Sequence, residues 1–144
     1  MEISDAETLA KELMQKHNVV WTFLFDRANK RTGCCRHSTR TISLSYEYVV
    51  RNDVDNIRNT ILHEIAHAIA GFDAGHGPEW REICIRIGAR PDRCCSDTVE
   101  MPKGRWQATC KSCNRTFNSI RCPKRRRHCR ECGQVNGKLE YDFI

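Results

Sequence analysis

Residues 60–68, TILHEIAHA, place two histidines four positions apart, with a glutamate directly after the first. Positions i and i+4 lie on one face of an α-helix, so His63 and His67 can bind the same metal ion. Zn²⁺ held by these imidazoles would polarise a carbonyl group and lower the pKa of water to about 7. Glu64 lies beside both histidines and can accept a proton from water. The pattern therefore predicts a catalytic zinc site with Glu64 as the general base.

The sequence on either side of these histidines predicts a long amphipathic helix. Its apolar face consists of isoleucines at every fourth position, namely Ile57, Ile61, Ile65 and Ile69. Asn52 or Asp53 can cap the N-terminus of this helix, and Gly71 follows its last residue, Ala70. The two histidines are therefore expected in the middle of a long helix with one continuous apolar face.

A third ligand is expected after this helix, because catalytic zinc sites of this kind use three protein ligands. His76 follows a short loop whose glycines can turn the chain back towards the metal. Glu79 and Glu82 are the alternatives, on a further helix that Pro78 begins and Gly88 ends. The sequence favours His76 and leaves the two glutamates open.

The N-terminal part is predicted to form a helix and two strands. Ser4 and Glu7 fit a capping box, and apolar residues at helical spacing predict a helix over residues 5–17. Residues 19–25, VVWTFLF, are rich in β-branched and aromatic side chains and predict a buried strand. Residues 40–44 predict a second strand, which pairs either with the first or with the cysteine-containing stretch between them. This mixture of elements indicates an α+β fold.

Three segments follow one another in an order that a known family shares. They are residues 33–45 (GCCRHSTRTISLS), 60–68 (TILHEIAHA) and 75–91 (GHGPEWREICIRIGARP). These segments resemble the SprT-like metallopeptidases, which include bacterial SprT and the eukaryotic Spartan proteases. The resemblance implies that His63, His67 and His76 bind zinc in a small zincin-like core. It also implies that Glu64 is the catalytic base and that the substrates are proteins bound or crosslinked to DNA.

Four cysteines near the C-terminus form two CxxC pairs that are separated by fifteen residues. They are Cys110, Cys113, Cys129 and Cys132. This spacing is typical of a zinc ribbon, in which two knuckles bind one structural Zn²⁺ between short hairpins. Cys122 and His128 lie between the pairs and are alternative ligands. A module this short builds little core, so we expect it to need the metal in order to fold.

The remaining cysteines and histidines give weaker signals. The adjacent cysteine pairs are Cys34 with Cys35 and Cys94 with Cys95. They leave open a further metal site, but buried or half-buried thiols are the simpler interpretation. His17 and His37 have no partner at ligand spacing, so we interpret them as ordinary surface or capping residues.

The net charge of +6 belongs entirely to the C-terminal module. Residues 1–105 contain equal numbers of basic and acidic side chains, whereas residues 106–144 contain an excess of lysine and arginine. The side chains expected to bind nucleic acid are Lys124, Arg125, Arg126, Arg127 and Arg130. They can neutralise phosphates, while exposed aromatic rings can stack on unpaired bases. We therefore expect this module to contact DNA, either single-stranded or crosslinked to protein.

The composition also bears on where the protein acts. No run approaches the roughly 18 apolar residues of a transmembrane helix, so we expect no contact with membranes. The N-terminus lacks the basic start and apolar stretch of a signal peptide. Ten cysteines then indicate metal ligands or buried thiols in a reducing compartment. We expect a monomer in the cytoplasm, associated with the nucleoid, or in the nucleus if the source is a eukaryote.

The sequence thus predicts a zincin-like metallopeptidase core over residues 1–100 and a basic β zinc ribbon over residues 101–144. Two zinc ions are expected, one catalytic and one structural. The expected function is that of a zinc-dependent endopeptidase that acts on DNA-bound or DNA-crosslinked proteins, with the ribbon contacting DNA. Two alternatives stay open. The first is a non-catalytic nucleic-acid-binding adaptor or transcription-associated factor with a structural zinc, and the second is a peptidase for free proteins.

Overall fold

The computed structural model describes residues 1–93 and 97–144, which form two compact units, Met1–Pro102 and Lys103–Ile144. The first unit combines helices with a three-stranded sheet, which confirms the predicted α+β class. Its elements are α1 (Ile3–Lys16), β1 (Thr22–Asp26), β2 (Gly33–Arg36), β3 (Thr41–Ser45), α2 (Tyr46–Val49), α3 (Val54–Ala70) and α4 (Pro78–Ile87). A 3₁₀ turn, Phe72–Ala74, lies between α3 and α4.

Helix α3 forms where the isoleucine pattern predicts it and lies at the centre of the core. Asp53 caps its N-terminus by accepting a hydrogen bond from a backbone N–H of the first turn. Three isoleucines of the apolar face are fully buried, namely Ile57, Ile61 and Ile65. Ile69 is 37% exposed, because the last turn of the helix extends beyond the core. The buried isoleucines therefore fix α3 in the core up to the turns that carry His63 and His67.

The sheet has the order β1-β3-β2, so the last strand in sequence lies in the middle. Strand β3 pairs in parallel with β1 and antiparallel with β2, and both pairings considered from sequence therefore occur. Ile42 and Leu44 of β3 are fully buried. The prediction of a buried strand over residues 19–25 is wrong in its bounds, because the strand spans Thr22–Asp26 and Val20 before it is 92% exposed. Strand β1 lies at the sheet edge, where apolar side chains are only partly covered.

One local prediction for a helix needs correction, and one short helix was not predicted. The capping box at Ser4 and Glu7 does not form, because α1 begins earlier, at Ile3, and its N-cap residue makes no side-chain hydrogen bond. The apolar face of the helix is buried through Ala6, Ala10, Leu13 and Met14. The short helix α2 was not predicted from sequence. Its Tyr48 is fully buried, and the hydroxyl lies 2.8 Å from the hydroxyl of Thr60 on α3.

Helix α4 has the ends that its sequence predicts. Pro78 lies in the first turn, and Gly88 ends the helix with a left-handed backbone of φ 89°. A Cβ atom added at Gly88 would meet nothing within 4 Å, so the backbone conformation alone favours glycine here. Trp80 on the inner face is fully buried.

The segment after α4 belongs to the first unit as far as Pro102. The Asn52 side chain donates to the carbonyl oxygen of Glu100 at 2.7 Å and accepts from its backbone N–H at 2.9 Å. Val99 and Met101 pack against the core on either side of this contact. A buried amide side chain thus holds an extended backbone in place, which hydropathy patterns do not reveal.

The second unit is a small β structure with one helical turn. Its elements are β4 (Trp106–Thr109), β5 (Thr116–Ser119), β6 (Arg127–His128), α5 (Gly133–Asn136), β7 (Lys138–Leu139) and β8 (Asp142–Phe143). The strands form an antiparallel sheet of order β5-β4-β8 and a separate antiparallel pair, β6-β7. Helix α5 departs from the all-β ribbon expected from sequence. Among the described residues, no helix is long and apolar enough to cross a membrane.

Candidate metal centre and active-site cleft

Three histidines of the first unit bring their Nε2 atoms together. The Nε2 atom of His76 lies 3.1 Å from that of His67 and 3.2 Å from that of His63. Tetrahedral zinc with Zn–N bonds of about 2.0–2.1 Å separates its ligand nitrogens by about 3.3 Å. The spacing and the donor set therefore fit one Zn²⁺. Glu79 and Glu82, the alternatives to His76, are exposed on α4 and lie outside this group.

Two elements of different kinds deliver these ligands. His63 and His67 project from successive turns of α3, as their spacing predicts. His76 comes from the loop between α3 and α4, which turns sharply at Gly71 (φ 93°) and Gly75 (φ 51°). Positive φ values of this kind favour glycine, so the two glycines allow the chain to bring His76 back to the helix.

Trp80 on α4 packs against all three histidines. Its ring centroid lies 4.7 Å from that of His63, 5.2 Å from that of His67 and 4.7 Å from that of His76. Its indole N–H donates to the backbone carbonyl of His63 at 3.4 Å. The sequence pattern identified Trp80 only as an apolar position of α4. Its position four residues after a candidate ligand was the one signal that could have indicated a supporting role.

Glu64 lies on α3 beside the first ligand and is 7% exposed. Burial raises the pKa of its carboxyl group to about 8, and the nearby charge of Arg31 opposes this shift. The carboxyl group nevertheless reaches the cleft and lines it together with the three histidines. A carboxyl group in this position can hold a water molecule and exchange a proton with it.

The cleft over this site has a volume of about 590 Å³. One side is formed by Gly33, Cys35 and His37, which lie on β2 and just after it. The other side includes Arg90 and Arg93, which follow α4. The site therefore lies in an open groove between the sheet edge and the segment after α4.

Cys35 lines the cleft, but its thiol is poorly suited to act as a nucleophile. Burial, with the charge of Glu64 as the next contribution, raises the pKa of Cys35 to about 12. The thiolate is the reactive form of cysteine, and it is scarce at neutral pH when the pKa is so high. Cys35 is therefore not a candidate nucleophile at neutral pH.

Residues 2–100 match the SprT-like family. The chain belongs to this family. It is 22% identical over 137 residues to "Protein SprT-like" of Oceanobacillus iheyensis, a match that covers 93% of this chain and 90% of the relative. It is 33% identical over 82 residues to Germ cell nuclear acidic-1 protein of Caenorhabditis elegans, which covers 53% of this chain but only 14% of that protein.

One solved structure is also similar to this SprT-like chain. It is the crystal structure of the metallopeptidase zymogen jannalysin of Methanocaldococcus jannaschii, with 18% identity and a TM-score of 0.49. The similarity covers 56% of this chain and 79% of jannalysin. Membership of the SprT-like family supports a metallopeptidase, as the resemblance of the three segments implies.

The four cysteines of the CxxC pairs lie together in the second unit of the SprT-like chain. The Sγ atoms of Cys113 and Cys129 are 3.8 Å apart, and tetrahedral zinc with Zn–S bonds of about 2.3 Å requires about 3.8 Å. A hydrogen bond from the backbone N–H of Cys113 lowers the pKa of Cys110 to about 7, which favours the thiolate that binds metal. The four thiols therefore fit a structural Zn²⁺.

The backbone around the two cysteine pairs follows one pattern. Asn114 and Gly133 directly follow the second cysteine of each pair, and both have positive φ values, 59° and 79°. Their N–H groups donate to the carbonyl oxygens of Cys110 and Cys129 at 2.7 Å and 2.9 Å. Each pair thus forms a tight turn that points two thiols to one side.

The other candidate ligands lie outside these groups. Cys122 and His128 are exposed and do not join the four cysteines. Cys34 and Cys35 are half-buried on β2, whereas Cys94 and Cys95 lie outside the described residues. Within residues 1–93 and 97–144, the histidine and cysteine groups are the two that could hold a metal.

The basic side chains expected to bind nucleic acid are all exposed in the second unit. They are Lys124, Arg125, Arg126, Arg127 and Arg130. Two acidic residues of this unit pair with other basic residues, Glu131 with Arg115 at 2.9 Å and Glu140 with Lys138 at 3.5 Å. The cluster therefore presents positive charge to solvent.

Proposed function

We propose that this SprT-like protein is a zinc-dependent endopeptidase. The observation that carries the proposal is the convergence of three histidine Nε2 atoms at the floor of an open cleft, with the Glu64 carboxyl group beside them. When bound there, Zn²⁺ supplies a Lewis acid that polarises the scissile carbonyl and makes water more acidic.

Glu64 is the residue that moves protons in the proposed reaction. Its carboxylate accepts a proton from the attacking water and passes it to the nitrogen of the leaving amine. Asp92 is the other carboxylate that lines the cleft, and it is exposed on the segment after α4. Glu64 lies next to a ligand on the same helix, so it is much better placed than Asp92 for this role.

Strand β2 is suited to hold the substrate. It lies at an edge of the sheet, and its Gly33 and Cys35 line the cleft. Backbone groups on a free strand edge can pair with an extended peptide, which fixes the peptide direction without reading its sequence. A peptide held in this way lies across the cleft, with one carbonyl near the histidines and Glu64.

We further propose that the substrates are proteins bound or crosslinked to DNA, and that the second unit contacts the DNA. The exposed basic cluster of that unit and the neutral charge balance of the first support this division of roles. A substrate that is captured through its DNA is selected by being on the DNA and not by its own sequence. This suits a cleft that binds the peptide backbone. The proposal includes a monomer and a site of action at the nucleoid or in the nucleus.

A cleavage assay with a protein crosslinked to single-stranded DNA tests the enzyme proposal. We expect Glu64→Gln to lower the rate at least about 100-fold, because proton transfer by a placed carboxylate contributes on the order of 10²–10⁴. Glu79→Gln is the matched control, since it makes the same change at an exposed carboxylate of α4 and should leave the rate unchanged. Equal cleavage by wild type and Glu64→Gln would remove Glu64 as the base. Absence of cleavage by wild type would favour the non-catalytic adaptor.

Replacing residues 124–127 with alanine tests the role of the second unit. DNA binding should weaken and lose part of its salt dependence, by a slope of about 0.7 per phosphate contact on single strands. Cleavage of the same protein without DNA should not change. If the variant binds and cleaves the crosslinked substrate as wild type does, the basic cluster does not select substrates. This result would favour a peptidase for free proteins.

A further inference from the structure

His37 occupies a position that its sequence spacing does not reveal. It lies in the turn between β2 and β3, is half-buried and lines the cleft. Its Nε2 atom is 2.9 Å from the backbone carbonyl oxygen of His67, which is one of the three candidate ligands. A carbonyl oxygen only accepts hydrogen bonds, so the Nε2 atom of His37 must carry the proton and donate it.

The same ring also contacts the loop that leads to the third ligand. Its centroid is 5.9 Å from that of Phe72, the first residue of the 3₁₀ turn, and the two rings meet edge to face. On the other side, Trp21 meets the His37 ring edge to face at 5.4 Å. Phe72 itself is 78% exposed, so the core does little to hold it. His37 therefore contacts the loop from the sheet side, opposite to the contact that Trp80 makes with His76.

The carbonyl that His37 contacts lies in the last turn of α3, just before the loop that leads to His76. It also accepts the hydrogen bond from the N–H of Gly71 at 3.1 Å, which closes the last turn of α3. The direction in which the chain leaves this turn determines whether His76 can reach the other two ligands. A donor that fixes this carbonyl therefore acts on His67 and His76 together.

We propose that His37 is a positioning residue of the metal centre. It fixes the end of α3 through the carbonyl of His67 and the start of the following loop through Phe72, so that three Nε2 atoms converge. This inference rests on the proposed function, because it requires that the histidine group binds zinc. His37 is not itself a ligand in this arrangement, since its Nε2 proton is engaged by a carbonyl and the ring lies outside the histidine group.

Two variants separate the donor from the ring. His37→Phe keeps an aromatic ring between Trp21 and Phe72 but removes the donor, whereas His37→Gln keeps an amide donor and loses the ring. We expect His37→Phe to weaken zinc binding about 10-fold, at the lower end of the range for outer-shell partners of a metal site, because its hydrogen bond holds the backbone of His67 and not the imidazole. His37→Gln should recover part of this loss. His17→Phe is the matched control. His17 is the C-cap residue of α1 and does not line the cleft, so its replacement should leave zinc binding unchanged.

Zinc affinity is measured by competition with a chelator, and the site geometry by absorption of the cobalt-substituted protein. Cobalt bound by thiolates gives an intense charge-transfer band that imidazole ligands lack, so the cysteine group serves as an internal reference. In His37→Phe the weak d–d bands of the histidine site should change while the thiolate band does not. Thermal unfolding of the metal-free variants shows whether each one is folded.

The outcomes of this experiment distinguish failure of the proposed function from failure of the role proposed for His37. If wild type binds no metal at its histidines, the proposed function fails, and the role of His37 fails with it. If wild type binds zinc and folded His37→Phe binds it equally well with unchanged d–d bands, His37 has no positioning role, although the proposed function stands. Loss of zinc affinity in His37→Gln without loss in His37→Phe would assign the effect to ring packing and contradict the role given to the donor.

Discussion

Replacing Trp80 with phenylalanine perturbs the packing beneath the metal centre without changing a ligand. The Trp80 side chain is fully buried, and its ring lies within 4.7–5.2 Å of the rings of His63, His67 and His76. Phenylalanine keeps a ring in the same place but leaves a space where the second ring of the indole was. It also removes the hydrogen bond to the carbonyl oxygen of His63.

The size of the effect follows from this burial. Truncation of a buried tryptophan to alanine costs about 3–5 kcal/mol, and phenylalanine retains most of the buried area, so we expect a loss of about 1–2 kcal/mol. The hydrogen bond is long, at 3.4 Å, and adds little. For a unit of this size, each kcal/mol lowers Tm by about 4–8 °C, which gives a decrease of roughly 5–15 °C. Zinc affinity should fall about tenfold, because the three imidazoles lose the part of their packing that the second ring of the indole provides.

Thermal unfolding followed by far-ultraviolet circular dichroism measures the change, since the long helices belong to the first unit. Trp106→Phe is the matched control, because Trp106 is half-buried in the second unit and should leave this transition unchanged. The reasoning is refuted if Trp80→Phe retains both the wild-type Tm and the wild-type zinc affinity. A lower Tm with unchanged zinc affinity would show that Trp80 supports the fold alone.

Three further predictions concern single residues. His76→Ala should weaken zinc binding at least about 100-fold in a chelator competition, since it removes one of three ligands from a site whose total binding energy is large. Although burial raises the pKa of Asp26, hydrogen bonds from a backbone N–H and a serine hydroxyl, with Arg31, hold it below its usual value. Its stabilising contribution is therefore present above about pH 4 and is lost as the pH falls further, and Asp26→Asn should flatten acid unfolding in this range. Gly88→Ala should cost about 1–2 kcal/mol in denaturant titrations, because φ is 89° there, and Gly88→Asn should cost less.

Local patterns predicted the parts of the site that lie on one element. The isoleucine stripe and the spacing of His63 and His67 fix both the helix and the face on which the ligands lie, because helix geometry relates residues four apart. The two cysteine pairs are predictable for the same reason, since each forms its own tight turn. His76 was favoured because nearby glycines allow the chain to return.

The contacts between elements could not be predicted in this way. Trp80 looks like any apolar residue of α4, and its contact with three histidines depends on how α4 crosses α3. His37 is remote in sequence from His67, and only the position of β2 at the sheet edge brings the two together. The bounds and the burial of the strand expected at residues 19–25 were wrong for a related reason, since apolar composition does not distinguish an edge strand from a central one.

The three candidate ligands differ in how the fold holds them, since two lie on a helix and one on a loop. His63 and His67 are fixed by a helix whose inner face is buried, so disrupting them requires disrupting the core. His76 lies on a loop with two positive-φ glycines and depends on contacts from Trp80 on one side and on the His37 contact with Phe72 on the other. Two histidines alone bind zinc weakly, so the loop decides whether the site is complete. Substitutions in the loop itself should therefore reduce metal binding well before they reduce the stability of the fold.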